Sequence, residues 1–195
     1  MNFLAHIYLS NGNEQLQIGN FIADFIKANQ YTHLPNAIQQ GIFLHRQIDT
    51  FTDAHPIVKQ SKRRLNERYG HYNGIIIDIF YDHFLAKNWS KYHKIPLAEY
   101  TNKFYKLLKE NKEVLPDSVM QFLPYLIKDN WLLNYTNFEG IEKTLIGMNK
   151  RTHKQSQMHL AIADLKLHYT DFESDFTDFF ENLRTFSANK ILDIT

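Results

Sequence analysis

Residues 73–87 read NGIIIDIFYDHFLAK, and very little of the stretch is polar. A helix drawn through it carries apolar side chains on almost every side, which is how a helix enclosed at the centre of a bundle reads. Asp78 and Asp82 interrupt that surface. Being four residues apart, they stand about 40° from one another, and Ile75, Ile79, Leu85 and Ala86 fall within about 60° of Asp82. His83 points about 100° away, toward a neighbouring face. Two ionised carboxylates on a buried helix are costly unless something positive offsets them.

The same geometry recurs upstream. In GIFLHRQIDTFTD (residues 41–53), His45, Asp49 and Asp53 climb one face over two turns. Ile38, Gly41, Ile42 and Ile48 all lie within about 60° of His45. The imidazole and the Asp49 carboxylate therefore sit inside the apolar stripe, with Asp53 at its edge. Asn20 and Asp24 in GNFIADF form a third pair four residues apart, and His6 is a fourth source of polarity in an apolar run. Imidazole with carboxylate is a ligand set that manganese, iron and zinc accept. A structural polar network and a metal-free acid–base site are the competing readings. Arg46, about 100° from His45, is placed either to hold a phosphate over such a site or to make a surface ion pair.

Outside these stretches apolar residues recur every three or four positions and strict alternation is scarce, so the chain reads as all-α, a single-domain multi-helix bundle over 1–195. Helices are expected over Asn2–Leu9, Asn13–Ala28, Pro35 to Asp53, Ile57–Tyr69, Ile75–Asn88, Leu97–Lys112, Asp117–Asn134, Phe138–Lys150 and Ser156–Phe186. Seven glycines and five prolines are scattered and mark no linker. A chain of 195 residues, 44% hydrophobic and 22% charged, is globular. Its net charge of +1 argues against a nucleic-acid binder. The absence of cysteine removes thiolate metal sites and thiol nucleophiles. No basic leader precedes the first apolar run and no apolar stretch is long enough to cross a bilayer, so a cytoplasmic protein without membrane contact is expected. Gly-rich phosphate loops, the G-x-S-x-G elbow and the short zinc and calcium motifs are all missing, which leaves any phosphate chemistry to metal and arginine.

Taken together, NFLAH (2–6), GNFIADF (19–25), GIFLHRQIDTFTD (41–53), DIFYDHFLAKNW (78–89) and GMNKR (147–151) resemble the acyl-carrier-protein phosphodiesterase family, in that order and at the family's spacing. The resemblance covers residues 2 to 151; beyond Arg151 only helical character is shared. It implies an all-helical, HD-phosphohydrolase-like fold and a divalent-metal hydrolase of fatty-acid metabolism, typically using manganese, with magnesium or iron as alternatives. The implied reaction cleaves the phosphodiester between 4′-phosphopantetheine and a serine of holo acyl carrier protein, leaving the apo carrier. The standard HD pattern is broken here, because His45 is followed by Arg46 rather than Asp, and Asp49 is the nearest carboxylate on the correct face.

On this reading one or two metal ions are held by a subset of Asp24, His45, Asp49, Asp78 and Asp82. Arg46 shares the charge on phosphate, and His83 or His6 protonates the leaving serine. The carrier proteins of this reaction are acidic, and KQSKRRLNER supplies Lys59, Lys62, Arg63, Arg64 and Arg68 for docking, with Arg151 of GMNKR as a further substrate contact. Lys103, Lys106 and Lys109 are a weaker basic row. Two other functions compete: an HD-like phosphohydrolase of a nucleotide or other small phosphoester, and a non-enzymatic helical binding module.

Overall fold

In the computed structural model, which describes residues 1–27, 30–65 and 67–195, the chain is all-helical, with no strand among the described residues. The first half holds α1 (Phe3–Leu9), α2 (Glu14–Ile22), α3 (Asn36–Ala54), α4 (Pro56–Arg64), α5 (Asn73–Lys87) and α6 (Trp89–Tyr92). The second half holds α7 (Leu97–Glu110), α8 (Asp117–Lys128), α9 (Trp131–Asn134), α10 (Phe138–Arg151), α11 (Ala161–Leu167) and α12 (Tyr169–Ile194). No helix among the described residues is long and apolar enough to cross a membrane.

Prolines start several of these helices. Pro35, Pro96 and Pro116 precede α3, α7 and α8, and Pro56 opens α4, whose first turn is capped by the His55 ring accepting from Ile57 N at 3.3 Å. A proline there has no N–H to lose, and its fixed φ suits a helix entrance. Three expected helices are interrupted. The one expected over Asn13–Ala28 ends at Ile22 and passes into a 3-10 turn at Ala23–Phe25; its expected end, Ala28, lies outside the described residues. The one expected over Asp117–Asn134 breaks at Asn130, which takes a left-handed φ of 45°. The last expected helix divides at His168 into α11 and α12, and α12 then runs on to Ile194. The basic helix stops at Arg64, short of the expected Tyr69; Asn66 between them is outside the described residues.

Helix α5 occupies the centre, with ten consecutive buried side chains except at Asp78, counted from Ile76 to Ala86. Around it pack α1, α4, α10 and α12. The inner face of α12 offers Phe172, Phe176, Phe179 and Phe180, all fully buried. Phe172 meets Phe80 edge-on at 5.3 Å and Phe176 meets Tyr81 at 5.6 Å. This aromatic layer is continuous with the aliphatic core that takes in α1, α2 and α3.

One contact sets the geometry of the functional region. Helices α2 and α3 cross at Gly19 and Gly41, so closely that a Cβ on Gly19 would lie 2.1 Å from the Ile38 carbonyl oxygen and 2.8 Å from Gly41 Cα. Neither residue tolerates a side chain there. The close approach lets backbone atoms of α2 bond directly to side chains of α3.

Candidate metal centre

Three elements send polar groups to one point. His6 comes from α1, His45 and Asp49 from α3, and Asp24 from the 3-10 turn after α2. His45 Nε2 lies 3.1 Å from Asp24 Oδ1 and 3.1 Å from Asp49 Oδ2. His6 Nε2 lies 3.3 Å from Asp49 Oδ1. Both imidazoles are buried and stacked, with ring centroids 4.0 Å apart and planes 18° apart. The two carboxylates face outward, the Asp49 side chain 42% and the Asp24 side chain 56% exposed.

Asn20 fixes the protonation of both rings. Its amide nitrogen donates to the His6 carbonyl at 2.8 Å and to Ser10 Oγ at 3.1 Å, which leaves its side-chain oxygen as the acceptor for His6 Nδ1 at 2.7 Å. Its backbone carbonyl accepts from His45 Nδ1 at 2.8 Å. Both Nδ1 atoms must therefore carry a proton, and both Nε2 atoms point inward. His6 Nε2 is buried and makes no hydrogen bond. Burial, and then the neighbouring His45, hold His6 below the ordinary histidine range. His45 behaves oppositely: burial opposes its charge, but its bonds to Asp24 and Asp49 win and raise it to about 9. Burial pushes Asp49 up, yet its hydrogen bond from His45 and the adjacent His6 ring bring it well below the usual carboxylate range, and Asp24 is lowered through His45 in the same way.

A proton on His45 satisfies that ring but leaves His6 Nε2 facing a carboxylate with nothing between them. A cation satisfies every group at once. Single atoms of His6, His45 and Asp49 lie within 4.8 Å of one another, and the donor set of two neutral imidazoles with carboxylate is one that first-row divalent ions accept.

The remaining expected site residues lie elsewhere. Asp82 is completely buried, as its place on α5 implies, but it accepts from the backbone N–H of Asn2 at 3.3 Å, Leu4 at 2.8 Å and Ala5 at 3.2 Å. It anchors the first turn of α1 instead of joining the cluster. Asp78 bonds the Met1 ammonium at 2.9 Å, and that ammonium, itself raised by Asp78, Asp49 and Asp82 against burial, is the positive group that offsets the two α5 carboxylates. His83 is also away from the cluster. Its Nδ1 donates to the Tyr135 carbonyl at 2.7 Å and its Nε2 meets the Tyr169 hydroxyl at 3.0 Å, so it joins α5 to α9 and α12.

Arg46 packs against Tyr31. Its guanidinium lies 4.9 Å from the centre of the Tyr31 ring, and Nη1 reaches the Tyr31 hydroxyl at 3.4 Å. It thus ties α3 to the segment that follows Asp24. Among the basic residues, Lys62 pairs with Asp53 at 2.8 Å, and Arg64 bonds the buried Asp175 of α12, which also accepts from Ser61 at 2.6 Å and Gln60 at 3.1 Å. Arg64 is therefore part of the packing between α4 and α12. Arg63 is exposed on the same helix, and Arg151 is exposed at the end of α10 beside Met148. Sequence reasoning assigned His6 to proton transfer and missed Asn20 as the group that aims both rings; its one signal was its place four residues before Asp24.

The family model of acyl carrier protein phosphodiesterase matches residues 1–183, which extends well past the motifs that end at Arg151. Proteins named acyl carrier protein phosphodiesterase from Enterobacter sp. (strain 638) and Photorhabdus laumondii are 32% and 30% identical to the chain, covering 98% and 97% of it and 100% and 96% of the relatives. One of the same name from Shigella boydii serotype 18 is 32% identical over 98% of the chain and 100% of its own length. No solved structure matches.

Proposed function

The chain belongs to the acyl carrier protein phosphodiesterase family, and from that membership we propose that it hydrolyses the phosphodiester between 4′-phosphopantetheine and the serine of holo acyl carrier protein, using a divalent metal held by His6, His45, Asp49 and Asp24. The observation that carries the metal is the bare, buried Nε2 of His6 opposite Asp49, with its tautomer fixed by Asn20. Manganese is the ion the family reading favours, with magnesium or iron as alternatives. Bound there, the ion would neutralise phosphate charge and lower the pKa of a water.

The protein groups divide the remaining work. Asn20 holds the Nδ1 proton of both imidazoles and so aims both Nε2 atoms at the carboxylates. Arg46, planar and permanently charged, shares the charge on the phosphate oxygens as they pass through the transition state, with Tyr31 holding it at the rim. His6 serves as a ligand and His83 as a structural bridge, so the leaving serine takes its proton from solvent on the open side, where Asp24 and Asp49 are half-exposed. The exposed face of α4, with Lys59 and Arg63, receives the acidic carrier.

The test is intact-mass measurement of holo acyl carrier protein before and after incubation with the protein and manganese. The expected result is loss of one 4′-phosphopantetheine and an unmodified serine, abolished by chelator and by His45→Ala or His6→Ala. A carrier that stays holo while a panel of nucleotides is hydrolysed would transfer the reading to a small phosphoester. Phosphate remaining on the serine would mean that the other ester bond is cut.

A further inference from the structure

One turn beyond Asp49 on α3, a cleft of about 460 Å³ opens between the end of α3, the end of α4, the turn at residues 67–72 and the start of α5. The turn folds back through Gly70, whose φ of 50° and ψ of −128° suit only glycine and bring the His71 ring to the cleft wall. Gly74, also in the wall, leaves room for the Lys62 side chain, whose Nζ would be 3.4 Å from a Cβ at that position.

The lining has an unusual balance. Its charged groups are matched: Lys62 is paired with Asp53, and Asp78 with the Met1 ammonium. Ile75, 36% exposed, places an apolar surface in the wall. Beside it the Asn73 side-chain oxygen is buried with no hydrogen-bond partner, while its amide nitrogen makes only a long 3.4 Å bond to the Lys62 carbonyl. The half-buried Asn73 amide, held only by that long bond, is free to turn its oxygen into the cleft, where an arriving N–H would remove the cost of a buried acceptor without a donor. Matched charges, an apolar wall and a waiting acceptor suit a neutral, branched amide chain better than an anion.

We propose that this cleft receives the pantetheine arm of the substrate, with Asn73 accepting from an amide N–H and Ile75 packing against the arm's dimethyl carbon. The inference rests on the phosphodiesterase reading for the choice of ligand, and the position agrees with it: Asp53 in the cleft wall is one helical turn from Asp49 at the metal centre. A phosphate at the cluster then has the arm on the α5 side and the carrier on the α4 side.

Calorimetric titration of the full chain with unphosphorylated pantetheine tests the cleft without requiring catalysis. Saturable binding is expected, weakened about tenfold in Ile75→Asp and in Asn73→Ala, both at partly exposed positions. Circular dichroism and metal content of each variant serve as controls for folding. Absence of binding to the wild-type protein, or wild-type affinity in both folded variants, would overturn the assignment. Turnover of holo carrier is measured in parallel. Normal turnover without pantetheine binding removes the cleft alone, and variant-sensitive binding without turnover removes the phosphodiesterase reading and keeps the cleft.

Discussion

His6 and His45 lie face to face, ring centroids 4.0 Å apart, and both direct Nε2 at Asp49 because one residue, Asn20, accepts from both Nδ1 atoms. Removing the Asn20 amide frees the His6 ring to rotate or to change tautomer while leaving the His45 bond, which uses a backbone carbonyl. Asn20→Leu should therefore fold and lower metal affinity by about 10–100-fold, the usual effect of losing such a supporting bond. Manganese titration checks this. Unchanged affinity would mean that His6 is not a ligand.

Metal binding should be coupled to one proton. Without metal, His45 holds its proton up to about pH 9, whereas His6 is depressed by burial and both aspartates are already ionised. The ion must displace the His45 proton, so affinity should rise about tenfold per pH unit from neutrality up to that value and then level off. Calorimetry in two buffers of different ionisation enthalpy counts the protons. A count of zero would show that the ion does not contact His45.

Much of this arrangement was legible in the sequence because helical spacing is rigid. His45 and Asp49 lie four apart on an apolar stripe, and the structure finds them together; the all-round apolar α5 is indeed the central helix. What spacing cannot give is the partner across the interface. Asp78 and Asp82 read as carboxylates in need of a positive charge, and that need is met by backbone N–H groups of α1 and the Met1 ammonium, which no periodicity within α5 reveals. His83 was assigned by chemistry alone, and its partners Tyr135 and Tyr169 lie 52 and 86 residues away. The Gly19–Gly41 crossing was equally hidden, since each glycine is explained only by the other.

Asp82 gives stability an unusual pH dependence. Burial raises its pKa to about 7, outweighing the Met1 ammonium and the Leu4 and Ala5 N–H groups, which favour the carboxylate. An unfolded aspartate titrates near 3.8, so between 3.8 and about 7 the folded state binds more protons than the unfolded one. The contribution of this group is then fully present below the unfolded value and declines as pH rises through the window. Asp82→Asn should flatten that slope, with Asp78 and the ammonium left in place, and should cost about 1–2 kcal/mol because its amide nitrogen faces a backbone N–H. Urea unfolding across the window compares the two proteins; identical slopes would remove Asp82 as the titrating group.

Arg63 and Arg64 are adjacent on α4 but should respond oppositely to substitution. The Arg64 guanidinium bonds Asp175, which is 7% exposed and retains only Ser61 and Gln60 as donors when the arginine is removed. Arg64→Ala should therefore destabilise the protein by about 2 kcal/mol, below the full cost of breaking a buried pair because two donors remain. Arg63 is exposed and bonds the Lys59 carbonyl at 3.3 Å on its own helix, so Arg63→Glu should leave stability within about 0.5 kcal/mol of wild type. Its effect belongs to encounter with an acidic carrier: a slower association whose deficit relative to wild type shrinks as ionic strength rises, because rim charges act mainly on rate and are screened by salt. Urea denaturation separates the first effect, and kcat/KM for holo carrier at low and high salt separates the second. If Arg63→Glu is indistinguishable from wild type at low salt, the carrier does not dock on α4, while the role of Arg64 in holding α4 to α12 is judged by denaturation alone.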